Sequence, residues 1–288
     1  MTYISRSQTA LRYGSYIGRK AIAALHAELV LYPKPGLVSP LDSGAHRDMN
    51  AATFMRSLFA LRQYFQAIAE AGARDEPFLV LQRLGIAAET RMLAATNGIN
   101  THRGAIFCIG LLAAAAGLRL ANGLDLSPAH LAQTIANRWG DGIGATCRSR
   151  LTSHGSLAVA KYCVRGAREE ALEGFPTLMS VAVPTLTKAI GTVSSIKHAQ
   201  VQTLFAIMAE LDDTNLLHRG GSEGLDFVRD QAKVFLAKGG VLSAGWESRA
   251  IGMHQQFVTR HLSPGGSADS FPTGTRGMPP VYCGRHHG

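Results

Sequence analysis

The residues able to do chemistry are gathered in a few short polar stretches between long apolar ones. The densest begins Ala95-Thr96-Asn97-Gly98-Ile99-Asn100-Thr101-His102-Arg103-Gly104 and runs straight into an almost wholly apolar segment, 105–116. Asn97-Gly98 breaks a helix and tolerates left-handed backbone angles. The apolar run reads as a buried helix about three turns long. Asn100, Thr101, His102 and Arg103 then stand at the N-terminus of a core helix. Unpaired N–H groups and the positive end of the helix dipole suit that place to an anion. Ordinary capping by Asn100 or Thr101 would account for the same residues.

Four more stretches carry comparable density. Tyr32-Pro33-Lys34-Pro35-Gly36-Leu37-Val38-Ser39-Pro40-Leu41-Asp42-Ser43-Gly44-Ala45-His46-Arg47-Asp48-Met49 is a proline-stiffened loop presenting Lys34, Asp42, His46, Arg47 and Asp48. Rigid loops of this kind are where sites are built. Gly166-Ala167-Arg168-Glu169-Glu170-Ala171-Leu172-Glu173-Gly174-Phe175-Pro176, if helical, puts Arg165, Arg168 and Glu169 on one face and Glu170 and Glu173 on another. A solvated helix with internal ion pairs would look the same. Glu210-Leu211-Asp212-Asp213-Thr214-Asn215 places carboxylates at the expected C-terminus of a helix, against its dipole, at some tenths of a kcal/mol each. Mg²⁺ would compensate, since it takes carboxylates together with substrate phosphates; so would Arg219 or a lysine. Ser263-Pro264-Gly265-Gly266-Ser267-Ala268-Asp269 is the last. Gly140-Asp141-Gly142-Ile143-Gly144 is glycine-rich but lacks the Lys-Ser/Thr of a phosphate loop, and no strand precedes it.

The elements that position these stretches read as helices throughout. Ile22, Leu25 and Leu29 share a face of a helix from about Ser15, ended by Pro33 and Pro35. Asn50 caps a second helix using Phe54, Leu58, Leu61, Phe65 and Ile68, ended by Gly72. Further helices are expected from Pro77 to Leu93, from His102 to about Gly117, from Ser127 to about Trp139, from Pro176 to Ala189, from Ser195 to Leu211, then up to Lys238 and from Ala244 to Arg260. No stretch alternates with period two. The expectation is an all-α, single multi-helix domain over 15–269, with the site built from interhelical loops. Residues 1–14 read as a loose polar arm and 270–288 as an irregular tail.

Composition narrows the function. Hydrophobic residues make up 46% of 288, and charged ones only 17%, yet the formal net charge is +9. No basic block, zinc-finger spacing or aromatic RNA-binding signature is present, which argues against nucleic acid. The arginines fall inside the polar stretches, which fits a phosphorylated small molecule. Cys108, Cys147, Cys163 and Cys283 show no CxxC spacing and read as reduced, mostly buried thiols of a cytoplasmic protein. No signal-peptide pattern opens the chain, and the apolar run 105–117 is short of the ~20 residues a bilayer needs, so no membrane is expected.

The polar stretches taken together, from about Ala21 to Asp269, resemble the triphosphoribosyl-dephospho-CoA synthases. The likeness rests on Pro33-Lys34-Pro35-Gly36-Leu37-Val38 with Gly44 to Met49, on Asn100 to Phe107, on Gly166-Ala167-Arg168 with Glu170-Ala171 and Gly174-Phe175-Pro176, on Asp213-Thr214-Asn215 with Arg219 and Gly221, and on Ser263 to Asp269. Glu169 replaces a glycine usual in the family. The stretch from Ser270 lacks the apolar helix that usually follows, as a frame change or truncation would leave it. The resemblance implies an all-α transferase that joins ATP to 3′-dephospho-CoA, releases adenine, and so makes the precursor of an acyl-carrier prosthetic group, with Mg²⁺ accompanying the ATP. It leans to the branch serving malonate decarboxylase rather than citrate lyase. Other readings of the same residues are an ADP-ribosyl-hydrolase-like Mg²⁺-dependent glycosidase and a non-catalytic nucleotide- or CoA-binding protein.

Such a reaction breaks an N-glycosidic bond through an oxocarbenium-like transition state while the triphosphate stays attached. Cations must hold the phosphates: Lys34, Arg103, Arg168 and Arg219 are the candidates, with Asn100, Thr101, Ser263 and Gly265 beside them. An acid must protonate adenine and a base take the attacking hydroxyl's proton; Asp48, Glu170, His46 and His102 are the candidates, Asp48 and Glu170 nearest the sugar. Asp212 and Asp213 are the candidate Mg²⁺ ligands. A homodimer is the assembly considered, and an acyl-carrier transfer system the downstream partner.

Overall fold

A computed structural model describes residues 6–147, 154–193 and 195–269. Among them are twelve α-helices and no strand: α1 (Arg6–Leu29), α2 (Ala51–Ala73), α3 (Phe78–Ala95), α4 (Arg103–Ala121), α5 (Pro128–Cys147), α6 (His154–Tyr162), α7 (Ala167–Leu172), α8 (Val183–Ile190), α9 (Ile196–Glu210), α10 (Thr214–Ala237), α11 (Trp246–Thr259) and α12 (Gly265–Asp269). The all-α expectation is met. α10 is two helical pieces joined at Gly221, whose φ of +65° breaks the run.

The centre is α4, apolar on all sides, with a buried run from Ala113 to Gly117 and no fully exposed residue. It is covered by α1, α2, α3 and α5. By length and composition α4 could cross a membrane, being longer than the 105–117 run expected; here its apolar surface forms the core. Its contact with α2 is backbone against backbone. A Cβ at Gly72 would lie 2.0 Å from the Ala114 carbonyl oxygen, and one at Gly117 2.0 Å from that of Ala69. This is why Gly117 does not end the helix, which continues to Ala121. α2 begins as expected, with Asn50 Oδ1 accepting from Thr53 N at 3.1 Å and Thr53 returning the bond to the Asn50 N–H.

Two other boundaries differ from expectation. The supposed loose arm is helical from Arg6, because α1 lies along α2: Gly14 sits against Glu70 and Gly18 against Gln66, and Ala10 is already buried. The glycine-rich 140–144 is no loop. α5 runs through it to Cys147, and Gly142 makes room for Phe78 of α3. Cys108 is buried but Cys163 is exposed. The tail 270–288 and Cys283 lie outside the described residues.

Candidate active site

The proline-rich loop between α1 and α2 is stapled to the C-terminal part of the chain. Gly36, at φ +72°, packs so closely on the Leu262 carbonyl that a Cβ would come within 2.3 Å of its oxygen. The Gly36 N–H donates to His254 Nδ1 at 3.3 Å, so His254 Nε2 carries the hydrogen and faces Asp42 Oδ1 at 3.2 Å. Asp42 Oδ1 in turn accepts from the Gly44 N–H at 2.7 Å.

This anchoring presents His46 to two other motifs. His46 Nε2 lies 2.9 Å from Ser263 Oγ, and His46 Nδ1 lies 3.0 Å from an Arg219 Nη. Arg219 also reaches the Ala45 carbonyl at 3.5 Å. Burial and then the Arg219 charge lower the His46 pKa to about 4, with Asp48 opposing, so His46 is neutral near pH 7. Asp48 stands at the surface, its side chain 61% exposed and 3.8 Å from His46 Nδ1.

The α9–α10 junction changes the electrostatics expected of Glu210, Asp212 and Asp213. Asp213 does not oppose the α9 dipole; it is the N-cap of α10, where a carboxylate is favoured. Asp213 Oδ1 accepts from the N–H groups of Asn215 and Gly266, and Oδ2 from the Ser267 N–H at 2.8 Å and the Ser267 hydroxyl at 3.0 Å. One buried carboxylate thus holds the start of α10 against α12, and Gly265 and Gly266 allow the approach. Asp212 faces elsewhere, pairing with Arg229 at 2.6 Å, and Arg229 also donates to the Glu210 carbonyl. Arg229, rather than Arg219, is the cation that meets the end of α9. Among the described residues no three His, Cys, Asp or Glu side chains converge as a metal would need. The Asp212–Asp213 pair does not fit a resident Mg²⁺, because Asp213's oxygens are already spent on five protein donors.

An acidic side chain does sit at the N-terminus of α4, and it belongs to the chain. Asp269 accepts from the Ala105 N–H, and a Cβ at Gly104 would fall 2.0 Å from its Oδ2. Burial, then Glu28 and Asp213, push the Asp269 carboxyl well up. His102 precedes the helix, fully buried, with Nδ1 2.7 Å from Ser57 Oγ and its ring edge-on to Phe54. Its Nε2 and the Thr101 Oγ1 are buried with no protein partner. Burial, assisted by Lys34, lowers His102 to about 3. Asn100 Oδ1 accepts from the Arg103 N–H at 3.1 Å, the capping reading of that residue.

The four candidate cations do not form one open cradle. Lys34 is 1% exposed and bonded to the carboxylate of Glu28 at 2.6 Å and to its carbonyl at 2.7 Å. Arg103 pairs with Glu89. Both already have carboxylate partners; the buried Lys34 requires one, while the Arg103–Glu89 pair is partly open to solvent. Arg168 donates to the Thr146 carbonyl at 3.0 Å, and Arg219 holds His46; no carboxylate is paired with either among the described residues. Glu170 is buried, accepting from the Thr177 N–H and hydroxyl and facing Arg165. It therefore fixes the turn after α7 rather than standing open beside Asp48. The residues that sequence reasoning passed over are Glu28 and Ser57; Asp269 stood in the last motif without a role of its own. Glu28 carried a signal, an acid on the same buried face as Leu25 and Leu29. A surface hollow of about 400 Å³ lined by Arg119, Gln133, Thr134, Asn137 and Arg138 shares no residue with any motif.

Comparison with known proteins agrees with the motif-bearing part of this arrangement. Residues 14–274 match the family described as CitG: ATP:dephospho-CoA triphosphoribosyl transferase. A protein of Acinetobacter calcoaceticus named "Probable 2-(5''-triphosphoribosyl)-3'-dephosphocoenzyme-A synthase" is 40% identical over 267 residues, 93% of this chain and 90% of that one. Similarly named proteins of Salmonella choleraesuis (strain SC-B67) and Vibrio cholerae serotype O1 (strain M66-2) are 41% and 36% identical, over 85% and 88% of this chain and 84% of each relative. No solved structure matches. The chain belongs to the ATP:dephospho-CoA triphosphoribosyl transferase family and is a transferase.

Proposed function

We propose that this protein forms 2′-(5″-triphosphoribosyl)-3′-dephospho-CoA from ATP and 3′-dephospho-CoA, releasing adenine. The observation that supports it most is the meeting of loops 32–49, 213–219 and 263–269 with the N-terminus of α4, through Arg219–His46–Ser263, Asp213–Ser267 and Asp269–Ala105. Motifs separated by most of the chain meet there, and the groups among them left open to solvent, Arg219 and Asp48, are of the types a phosphorylated sugar needs.

The chemistry divides among residues by exposure and pairing. Arg219 and Arg168, which lack carboxylate partners, are the cations for the triphosphate, and guanidinium groups grip phosphate bidentately. Mg²⁺ arrives with the ATP and adds charge neutralisation; its coordination is completed by phosphates and water rather than by a protein cage. Asp48, open to solvent beside His46, is the carboxylate for the developing sugar cation. Asn100, Thr101, Ser263 and Gly265 line the nucleotide side, and the unpartnered Thr101 Oγ1 and His102 Nε2 are the buried groups a ligand would satisfy. We further propose that the product serves the acyl carrier of malonate decarboxylase, that the enzyme works in the cytoplasm where ATP and dephospho-CoA are supplied, and that it forms a homodimer.

The test is incubation with Mg²⁺-ATP and 3′-dephospho-CoA, separately and together, with adenine measured by chromatography. Release only with both substrates supports the synthase. Release from ATP alone identifies a glycosidase, and binding without release a non-catalytic shell; either refutes the proposal.

A further inference from the structure

The contact between Arg219 and His46 fixes more than position. A guanidinium can only donate, so His46 Nδ1, 3.0 Å away, must present its lone pair. The hydrogen of the neutral ring is then on Nε2 and points at Ser263 Oγ, 2.9 Å away. Ser263 is buried, and accepting this bond leaves its own hydroxyl hydrogen to serve another acceptor. In this arrangement His46 is a donor on one side and blocked on the other, so it cannot take up a proton. The polarity is opposite to that of a serine–histidine pair built for nucleophilic attack.

The same contact is the one most open to exchange. Arg219 is exposed, and its partners are a neutral ring and a carbonyl rather than a carboxylate. It lies just before Gly221, where the helix breaks. A phosphate would outbid both partners, since it brings an opposite charge and two oxygens that a guanidinium can grip together, where the ring and the carbonyl are neutral acceptors. The charged groups facing His46 are Arg219 from α10 and Asp48 from its own loop; Ser263 faces it as a neutral partner. With Arg219 withdrawn, Asp48 is the remaining charge, and it favours protonation.

We propose that Arg219 is a positioning residue that keeps His46 in its proton-donating form until a substrate phosphate takes the guanidinium, whereupon Nδ1 opens to accept the proton of the attacking hydroxyl. This rests on the reaction proposed above. The acceptor O–H bond breaks and its proton goes to Nδ1; its electron pair forms the bond to the ribose carbon. The pair of the broken C–N bond leaves with adenine, which takes a proton from water. His46 later returns its proton to solvent. Triphosphate binding and base activation become one event, so that no base is armed while the nucleotide is absent.

The experiment is ¹⁵N-histidine NMR on the full chain, with the His46 signals assigned by their loss in His46→Gln. In nucleotide-free protein at neutral pH, His46 should show a protonated Nε2 and an unprotonated, hydrogen-bonded Nδ1. Arg219→Gln should abolish the Nδ1 shift without nucleotide and raise the titration midpoint from about 4 part of the way toward 6.5. Saturating Mg²⁺-ATP should move Nδ1 in the wild type and leave it unmoved in Arg219→Gln. A protonated Nδ1 in the free protein, or an Arg219→Gln midpoint equal to wild type, overturns the inference. So does ATP that binds by calorimetry yet leaves His46 unmoved. If ATP does not bind, the proposed reaction falls and the hand-over with it, while the Arg219→Gln shift still reports whether Arg219 controls the ring.

Discussion

Lys34 offers the sharpest test, because the motif reading and the structure assign it different work. Its ammonium lies 2.6 Å from Glu28 Oε1 and 2.7 Å from the Glu28 carbonyl, with 1% of the residue exposed. Lys34→Met keeps the length of the stem and deletes the charge, leaving a carboxylate buried without its cation. Breaking a buried pair in this way costs roughly 3–5 kcal/mol, whereas replacing both members by apolar residues of similar volume is often neutral or better. A domain of ordinary stability, ~5–15 kcal/mol, would survive the single change only narrowly. Urea unfolding followed by helical circular dichroism should therefore show a large fall in midpoint for Lys34→Met and for Glu28→Leu, and recovery of most of it in the double variant. The double variant should bind Mg²⁺-ATP as the wild type does. Two results would refute the reasoning: a Lys34→Met loss below about 1 kcal/mol, the range of exposed pairs, or single losses that simply add. Restored stability with lost ATP affinity would return Lys34 to the phosphates.

Three more outcomes follow from the same geometry. Gly104→Ala should expel the Asp269 carboxylate, since the new methyl would lie 2.0 Å from Oδ2, and cost ~1–3 kcal/mol of overpacking, with Asp269→Ala in the same chain restoring part of it. Asp213→Asn should cost ~2–3 kcal/mol, because an amide NH₂ must face one set of donors, and hydrogen exchange at the Ser267 amide should accelerate. His102 sits at about 3 in the fold against its usual 6.5, so the unfolded chain binds the proton first. The stability it contributes is complete above 6.5 and falls with decreasing pH down to about 3, at ~1.4 kcal/mol per pH unit; His102→Gln should flatten that part of a pH–stability curve.

The sequence by itself determined the fold class and the places where polar chemistry gathers. Helical periodicity and caps are local, so Asn50, Ser195 and the Pro-rich loop declare themselves within a few residues. The Asn97-Gly98 break before the core helix was legible for the same reason: these two residue types tolerate the positive φ they adopt, 56° and 82°. What sequence could not supply was partnership. Asp213 read as a burden on one helix end and is the cap of the next. The place at the start of α4 that suits an anion is taken by the Asp269 carboxyl, from the far end of the chain. Gly117, read as the end of a helix, and Gly142, beyond the expected end of another, are contact surfaces. Lys34 and Arg103 looked free for phosphate and are neutralised by Glu28 and Glu89. Residue type and spacing fix what a side chain can do, but which charge it meets depends on packing between distant segments, and only the tertiary structure decides that.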